Sequence, residues 1–546
     1  MNKVILVIFD GYGIAAPGPG NPVSLANIKT LQSILYAYPN TTLKASGEAV
    51  GLPASDVGNT EVGHINLGAG KIVYQDLPRI NMAIADGSFH ENPAFVQAAE
   101  HIEKTGGKLH LIGLIGEGYV HSSIEHLHAL LHFAKERQIT KTYIHAITDG
   151  RDSPPKAALE TIKSLQQKLD TLGVGRIATV MGRYWAMDRD HRWERIEPAY
   201  RCLTAGSGAQ ALTAMDAIQQ SYNQDKTDEF VAPTNMMVDG APVALIEKGD
   251  AVIYFNFRID RPRELTKAFV FDNFEADANN KQSFDPYSIK YTKSHVMQEK
   301  PDQSAPFARG PKIQDLLFVT MTEYERGLPV TVAYPPSIVQ IPLGRILSEA
   351  GMNQLRMAES EKERFVGYYF NGLREEPFPQ EDHYITPSPK VATYDLKPEM
   401  SAHEQTQNLI SKMREDKYQF ILINYANADM VGHTGNIEAS IKALVALDEC
   451  MVRLIDAAAQ TGYTILLTAD HGNVEQKINP QTGQISTEHT SNPVPFVAIS
   501  PAFAGRMVHL ESGILADVAP TVLALLGILP PSDMTGRNLL SSVLDH

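Results

Sequence analysis

Apolar residues gather in short runs that stop abruptly on charged or polar positions. KVILVIF (3–9) stops at Asp10, FILINYANA (420–428) at Asp429 and YTILLTA (463–469) at Asp470. These runs are rich in Val, Ile and Leu and lack period-two alternation, so they predict strands buried on both faces of a parallel sheet. Four more runs, LHLIGLIG (109–116), TYIHAIT (142–148), IATVMG (177–182) and AVIYFNF (251–257), lead instead into segments that carry His and Arg. Helix-like stretches separate the runs from end to end, which is the pattern of an α/β protein. In open α/β sheets ligands bind off the carboxyl ends of the strands, where these charged residues would stand.

The change in strand endings also implies a domain plan. Strands ending on Asp and Asp-His occupy both ends of the chain, and strands ending on His and Arg occupy the middle. A discontinuous domain of residues 1–76 and 312–546, interrupted by an inserted domain of residues 77–311, accounts for this alternation. A length of 546 residues is too great for one ordinary core and agrees with two domains. The polar stretch from about Asp272 to Pro311 reads either as an ordered excursion or as a mobile flap.

Composition narrows the function classes. The chain is 43% hydrophobic and 20% charged, a globular mixture. A formal net charge of −15 argues against a nucleic-acid or membrane-surface partner, either of which wants a basic face. With Cys202 and Cys450 alone there is no disulfide framework, which fits a reducing compartment. The N-terminal run leads straight into Asp10-Gly11 without a cleavage site, and no apolar run approaches the length of a spanning helix. The expectation is a soluble, cytoplasmic protein acting on a small molecule.

Aspartate and histidine together suit Mn, Zn, Co or Fe. Asp429 and His433 stand at i and i+4, one face of a starting helix. Asp470 and His471 directly follow a strand, and His489 comes from a later loop. With Asp10 these make six candidate ligands, more than one ion needs, so two ions are the natural count. Thr60, in Gly-Asn-Thr-Glu-Val-Gly, would open a helix. Its hydroxyl is either a nucleophile activated by a divalent ion or a plain N-cap. In the middle region Arg151 and Asp152, Arg183, Arg189, Arg258 and Arg261 follow strand ends, with His121 after LIGLIGEGYV. Guanidinium forks bind carboxylate and phosphate bidentately, which suits a small ligand with more than one anionic group. Surface salt bridges are the alternative reading. Asp152 is placed to take and return a proton from a substrate hydroxyl.

Read together, LVIFDGYG, GNTEVGHINLGAGKIVYQDL, AITDGRD, MGRYWAMDRDHRWER, FNFRIDRPRE, AESEKERFVGYYFNG, NADMVGHTG, TADHGN and HTSNPVPF carry a family likeness over nearly the whole chain. The chain closely resembles the cofactor-independent (2,3-bisphosphoglycerate-independent) phosphoglycerate mutases of the alkaline phosphatase superfamily. The resemblance implies an alkaline-phosphatase-like metal domain split in sequence, with an inserted α/β substrate-binding (transferase) domain. It implies two divalent metal ions, manganese first, with cobalt, magnesium or zinc as alternatives. One ion would be held by Asp429, His433 and His489, the other by Asp10, Thr60, Asp470 and His471. Substrate contacts carried over by motif are His121, Arg151, Asp152, Arg183, Arg189, Arg258, Arg261 and Lys362, with Thr60, Asp152 and Lys362 catalytic. Lys362, in Glu-Ser-Glu-Lys, is flagged by the resemblance alone. The implied reaction is interconversion of 3-phosphoglycerate and 2-phosphoglycerate in glycolysis and gluconeogenesis, through a phosphothreonine enzyme and without 2,3-bisphosphoglycerate. The residue that accepts the phosphoryl group in this family is usually serine, and here it is Thr60, whose extra methyl restricts χ1. A phosphatase or phosphopentose mutase on the same metal core, or a regulatory relative that no longer accepts phosphate, are the rival readings. No exposed apolar repeat demands an oligomer, so a monomer is expected.

Overall fold

The first apolar run forms strand β1 (Lys3–Phe9), whose residues Val4 to Ile8 are wholly buried in a computed structural model describing residues 2–280, 304–506 and 508–544. The chain divides into two units, Met1–Pro78 with Ser337–His546, and Arg79–Pro336.

In the first unit β1 is joined by β2 (Asn40–Lys44) and by six strands from the later part of the chain. Among the described residues the second unit holds nine strands in between. In chain order these are β3 (Leu109–Ile115), β4 (Thr142–Thr148), β5 (Arg176–Gly182), β6 (Ala209–Ala211), β7 (Thr234–Val238), β8 (Ala241–Pro242), β9 (Ala251–Tyr254), β10 (Leu317–Thr322) and β11 (Thr331–Tyr334). The first unit then resumes with β12 (Gln354–Glu359), β13 (Glu381–Thr386), β14 (Phe420–Tyr425), β15 (Tyr463–Thr468), β16 (Val494–Ile499) and β17 (Gly513–Ile514).

The first sheet has the order β13-β12-β14-β1-β15-β16-β2-β17. Its first five strands run parallel, with Val7 opposite Ile423 on one side and Leu467 on the other. β16 turns antiparallel to both β15 and β2. Helices pack on the sheet, among them Ile437–Thr461, whose Leu444, Leu447, Met451 and Leu454 join the core of β1 and β14. β1 and β14 carry apolar residues to both faces, as strands covered on both sides must.

The second sheet has the order β11-β10-β9-β3-β4-β5-β7-β6, with β8 on β7. From β11 through β5 every neighbour is parallel. The chain returns to the first unit at 336/337, not at 311/312 as the strand endings implied. β10 and β11 belong to the second sheet, β10 pairing with β9 from Leu317 opposite Ala251. Both are short apolar runs that do not end on the Asp-His signature, so nothing in their endings marks them as part of the insertion. Of the 272–311 stretch, residues 281–303 lie outside the described residues. Its described flanks pack into the second unit. Phe274 and Phe307 join Trp193, Tyr200 and Phe269 in one core, and the Arg309 guanidinium donates to the carbonyls of Ala268, Phe271 and Asp272. Among the described residues no helix is long and apolar enough to cross a membrane.

Candidate active site

Four adjacent parallel strands of the first sheet, β12, β14, β1 and β15, deliver their carboxyl ends to one edge. Lys362 comes from the turn after β12, Asp429 from the helix Asn427–Gly432 after β14, Asp10 from the end of β1, and Asp470 and His471 from the end of β15. Gly11, at φ +72°, lets the chain turn after Asp10. A Cβ there would come within 2.8 Å of the Asp429 Cα, so the two ligand-bearing segments meet only across a glycine.

Thr60 is the first residue of the helix Thr60–Ala69, and it is not the cap. Asn59 caps the helix by accepting from Val62 N–H at 3.0 Å. The Thr60 hydroxyl is thereby left for the site. Its Oγ1 lies 3.3 Å from Asp10 Oδ1, 3.0 Å from His471 Nε2 and 3.1 Å from Lys362 Nζ.

The residues that could hold ions form two sets. In the first, His433 Nε2 and His489 Nε2 lie 3.0 Å apart, each 3.2 Å from Asp429 Oδ1. The Nδ1 of each ring donates to a carbonyl, His433 to Thr487 at 2.8 Å and His489 to Gly58 at 2.9 Å. In that tautomer both Nε2 lone pairs point at each other and at a carboxylate oxygen, a cluster of acceptors that a cation relieves. In the second set, His471 Nε2 lies 3.4 Å from Asp10 Oδ1 and 3.7 Å from Asp470 Oδ2, and its Nδ1 donates to Gly472 O. Asp470 Oδ1 accepts from Gly11 N–H and His471 N–H, while its buried Oδ2 faces the His64 ring, with Nδ1 at 3.2 Å. Grouped by ligand atoms within 4.8 Å of one another, Asp429, His471 and His489 cluster, as do Asp10, His64 and Asp470. His64 has no lone pair to offer. Asn424 Nδ2, fixed by its bond to Asp10 Oδ2, donates to His64 Nε2, so the proton sits on Nδ1 and faces Thr60 O and Asp470. The donor set therefore fits two divalent ions, with His64 and Asn424 orienting the carboxylates.

The charge balance agrees. Asp10, Asp429 and Asp470 are all buried, and the ammonium of Lys362 bridges Asp10 Oδ1 and Asp429 Oδ2 at 2.7 Å each. Burial would depress that lysine, but Asp10, Asp429 and Asp470 outweigh it and hold it charged. Burial likewise opposes ionisation of Asp429, which Lys362 and His433 overcome. His471 is lowered by burial and raised more by Asp470, Asp10 and Asp429, to about 10. The pocket stores negative potential and attracts positive charge of any kind.

In the second unit four adjacent parallel strands, β9, β3, β4 and β5, again bring their carboxyl ends together. Arg183 is buried, and one terminal nitrogen, Nη1, reaches both Asp149 Oδ1 and Asp152 Oδ2. His121 Nε2 stands 3.6 Å from Asp152 Oδ2, and its carbonyl accepts from Phe257 and Arg258 N–H, tying the β3 and β9 ends. Arg258 and Arg189 share Asp260, and Arg261 donates to Met187 O. Arg151 pairs with Glu229 at 2.6 Å at the more exposed edge. Burial and Arg183 push His121 down to about 3, so its ring is neutral. Burial would raise Asp152, but the hydrogen bond and charge of Arg183 hold it below the ordinary carboxylate value. Burial and the neighbouring Arg183 and Arg189 bring Arg261 down to about 10, the mark of a crowded cationic mouth.

Comparison with known proteins follows the same two-part division. Residues 80–326 match the family model described as BPG-independent PGAM N-terminus, and residues 352–513 match that of type I phosphodiesterase / nucleotide pyrophosphatase. A 2,3-bisphosphoglycerate-independent phosphoglycerate mutase of Chloroflexus aggregans is 50% identical over 545 residues, 98% of each chain. The chain belongs to the 2,3-bisphosphoglycerate-independent phosphoglycerate mutase family. A family member of Moorella thermoacetica is 47% identical over 537 residues, again 98% of both chains. The crystal structure of Leishmania mexicana phosphoglycerate mutase at low cobalt concentration aligns with a TM-score of 0.59 at 28% identity, covering 98% of this chain and 97% of that one. The fold is that of the family, an α/β metal-type domain split in sequence around an inserted α/β domain. Within it the first unit gathers Asp10, Thr60, Lys362, Asp429, His433, Asp470, His471 and His489, and the second gathers His121, Arg151, Asp152, Arg183, Arg189, Arg258 and Arg261. Sequence reasoning missed Asn424 and Asn473, which donate to Asp10 and Asp429, because an amide beside a strand end carries no charge signal.

Proposed function

We propose that this protein interconverts 3-phosphoglycerate and 2-phosphoglycerate, as a step of glycolysis and gluconeogenesis, through a phosphothreonine at Thr60 and without added 2,3-bisphosphoglycerate. The observation that carries the reading is the Thr60 hydroxyl, released from capping by Asn59 and set against Asp10, His471 and Lys362. Two divalent ions, manganese first among manganese, cobalt, magnesium and zinc, would be held by Asp429, His433 and His489 and by Asp10, Thr60, Asp470 and His471, and would supply Lewis-acid activation of the hydroxyl and neutralisation of phosphoryl charge.

By the family resemblance Arg151, Arg183, Arg189, Arg258 and Arg261 are assigned to the substrate's anionic groups, which guanidinium forks bind in pairs. In the first half-reaction the Thr60 Oγ1–P bond forms as the bond from phosphorus to the C3 oxygen breaks. Thr60 gives up its proton as that bond forms and the C3 oxygen takes one up as it leaves as a hydroxyl, while the Lys362 ammonium offsets charge on the phosphoryl oxygens. In the second half the C2 oxygen attacks the phosphothreonine and Thr60 recovers its proton. Asp152, kept ionised by Arg183, relays the proton of the C2 hydroxyl. Water must be kept from the phosphothreonine while glycerate turns over, or hydrolysis replaces transfer.

The test is a mutase assay without bisphosphoglycerate, paired with mass spectrometry of the substrate-treated protein. Thr60→Ala is expected to lose at least about 10³-fold in kcat and to show no phosphopeptide, whereas Thr60→Ser retains both. Activity surviving in Thr60→Ala, or after thorough chelation, refutes the assigned roles. Release of inorganic phosphate at the rate of substrate loss would instead support the phosphatase reading.

A further inference from the structure

The buried carboxylate of Glu475 has no role in the reaction described above, yet directly or through Asn473 it touches the segments that carry Asp10, Asp429, His433, Asp470, His471 and His489. Its Oε2 accepts from Gly13 N–H at 3.0 Å, three residues past Asp10, and from Asn473 N–H at 2.8 Å, two past His471. Its Oε1 accepts from Asn492 Nδ2 at 2.9 Å and from the hydroxyl of Thr490, the residue after His489. Asn473 carries the link onward, donating from Nδ2 to Asp429 Oδ1 at 2.8 Å. Asn473 Oδ1 in turn accepts from the buried Lys477, whose Nζ also donates to Gly432 O at 3.1 Å, the carbonyl before His433.

A carboxylate offers about four lone-pair positions, and all four are taken here by donors on ligand-bearing loops. Bonds to an ionised acceptor are about twice as strong as neutral ones. The loop after β1 comes so close that a Cβ on Gly13 would overlap the Glu475 carboxyl. None of the four donors lies in a strand or helix, so the bonds hold loops rather than extend the fold.

We propose that Glu475 is a positioning residue for both ion sites. It fixes the spacing between the Asp429–His433–His489 set and the Asp10–Thr60–Asp470–His471 set, and so governs how tightly the second ion binds once the first is held. The inference rests on the two-ion reading of the site. It also states which set suffers when the charge is removed. An amide accepts on one oxygen only. The two backbone N–H groups at Oε2 cannot reverse, whereas the Thr490 hydroxyl at Oε1 can rotate to accept. In Glu475→Gln the amide nitrogen therefore settles toward Thr490 and Asn492, and the loop bearing His489 loosens.

The experiment titrates chelated full-length protein with manganese(II), followed by calorimetry and electron paramagnetic resonance. Wild type is expected to take up two ions and to show the spectrum of an exchange-coupled pair. Glu475→Gln is expected to bind its first ion as wild type does and its second about 10- to 100-fold more weakly, with the coupled spectrum lost at two equivalents. Thr490→Val, which removes a single donor, is expected to shift the second ion in the same direction by less, and it decides the matter if the first variant fails to fold. Faster amide hydrogen exchange at Gly13 and Asn473 in the chelated variant is the metal-independent counterpart. Both variants binding two manganese ions as wild type does would overturn the role of Glu475. Wild type binding fewer than two would overturn the two-ion reading itself.

Discussion

Lys362→Met separates the electrostatics of the site from its chemistry. The ammonium lies 2.7 Å from both Asp10 Oδ1 and Asp429 Oδ2. At an effective dielectric of about 20, each contact is roughly 6 kcal/mol of Coulomb attraction, offset by the several kcal/mol needed to dehydrate the ion. Removing one partner of such a buried cluster costs about 3–5 kcal/mol, chiefly because the carboxylates left behind are uncompensated. At about 2–4 °C per kcal/mol for a large domain, chelated Lys362→Met should melt on the order of 10 °C below wild type. Divalent ions take over the neutralisation, so the loaded variant should lose only about 1 kcal/mol. The thermodynamic cycle then requires the variant to bind ions more tightly by the difference, about 2–4 kcal/mol or 30- to 1000-fold. Turnover should nevertheless fall about 10²- to 10³-fold, since the proposed reaction needs that charge to offset the phosphoryl oxygens. Calorimetry of chelated and manganese-loaded protein, with a binding isotherm for each, measures all three quantities. A chelated variant melting with wild type, or one that binds manganese more weakly, refutes the account of Lys362 as the cation that balances Asp10 and Asp429.

Three further outcomes follow from named groups. Burial lifts the Glu359 carboxyl from 4.5 to about 7, and its Oε2 has no hydrogen-bond partner among the described residues. The folded state therefore binds more protons than the unfolded one between those values, and this group's contribution to stability is lost as pH rises through about 7, by up to about 3 kcal/mol. Glu359→Gln should raise the urea midpoint of chelated protein at pH 8 and leave it unchanged at pH 4, and equal effects at both would contradict this. Arg183→Lys keeps the charge but loses the guanidinium that spans Asp149 and Asp152; a loss of about 2–4 kcal/mol and a raised KM are expected, and wild-type urea and kinetic profiles would count against the bridge. His64→Ala removes the N–H facing Asp470 Oδ2 at 3.2 Å; manganese affinity should drop about 10- to 100-fold, measured against the same variant's unchanged circular dichroism.

The residues that could be read along the chain and those that could not differ in how their position is encoded. Asp10, Asp429, Asp470 and His471 are legible because each terminates a run of buried apolar residues, and parallel pairing of β14, β1 and β15 must then place those ends on one edge. The same logic brings out Arg151, Arg183 and Arg258 after β4, β5 and β9. It breaks down for Lys362, which also follows a strand but sits on a short turn among three glutamates, where one lysine looks like solvent-facing charge. It breaks down again at β10 and β11, whose sheet membership depends on the partner β9 and not on anything in their own endings. For Thr60 the deciding fact was its neighbour. Only the folded chain shows that the Asn59 side chain takes the cap, which turns an ambiguous hydroxyl into one aimed at Asp10 and His471. Glu475 is the extreme case. Its donors come from three separate stretches of chain, and each bond is local to a loop with no periodicity of its own. Strand periodicity thus reports what meets at a sheet edge, and it is silent about the polar contacts that set the final fractions of an ångström between ligands. Those fractions decide whether the seven candidate ligands can grip metal ions or merely surround them, so the part of the site least visible in the sequence is the part that the proposed chemistry depends on.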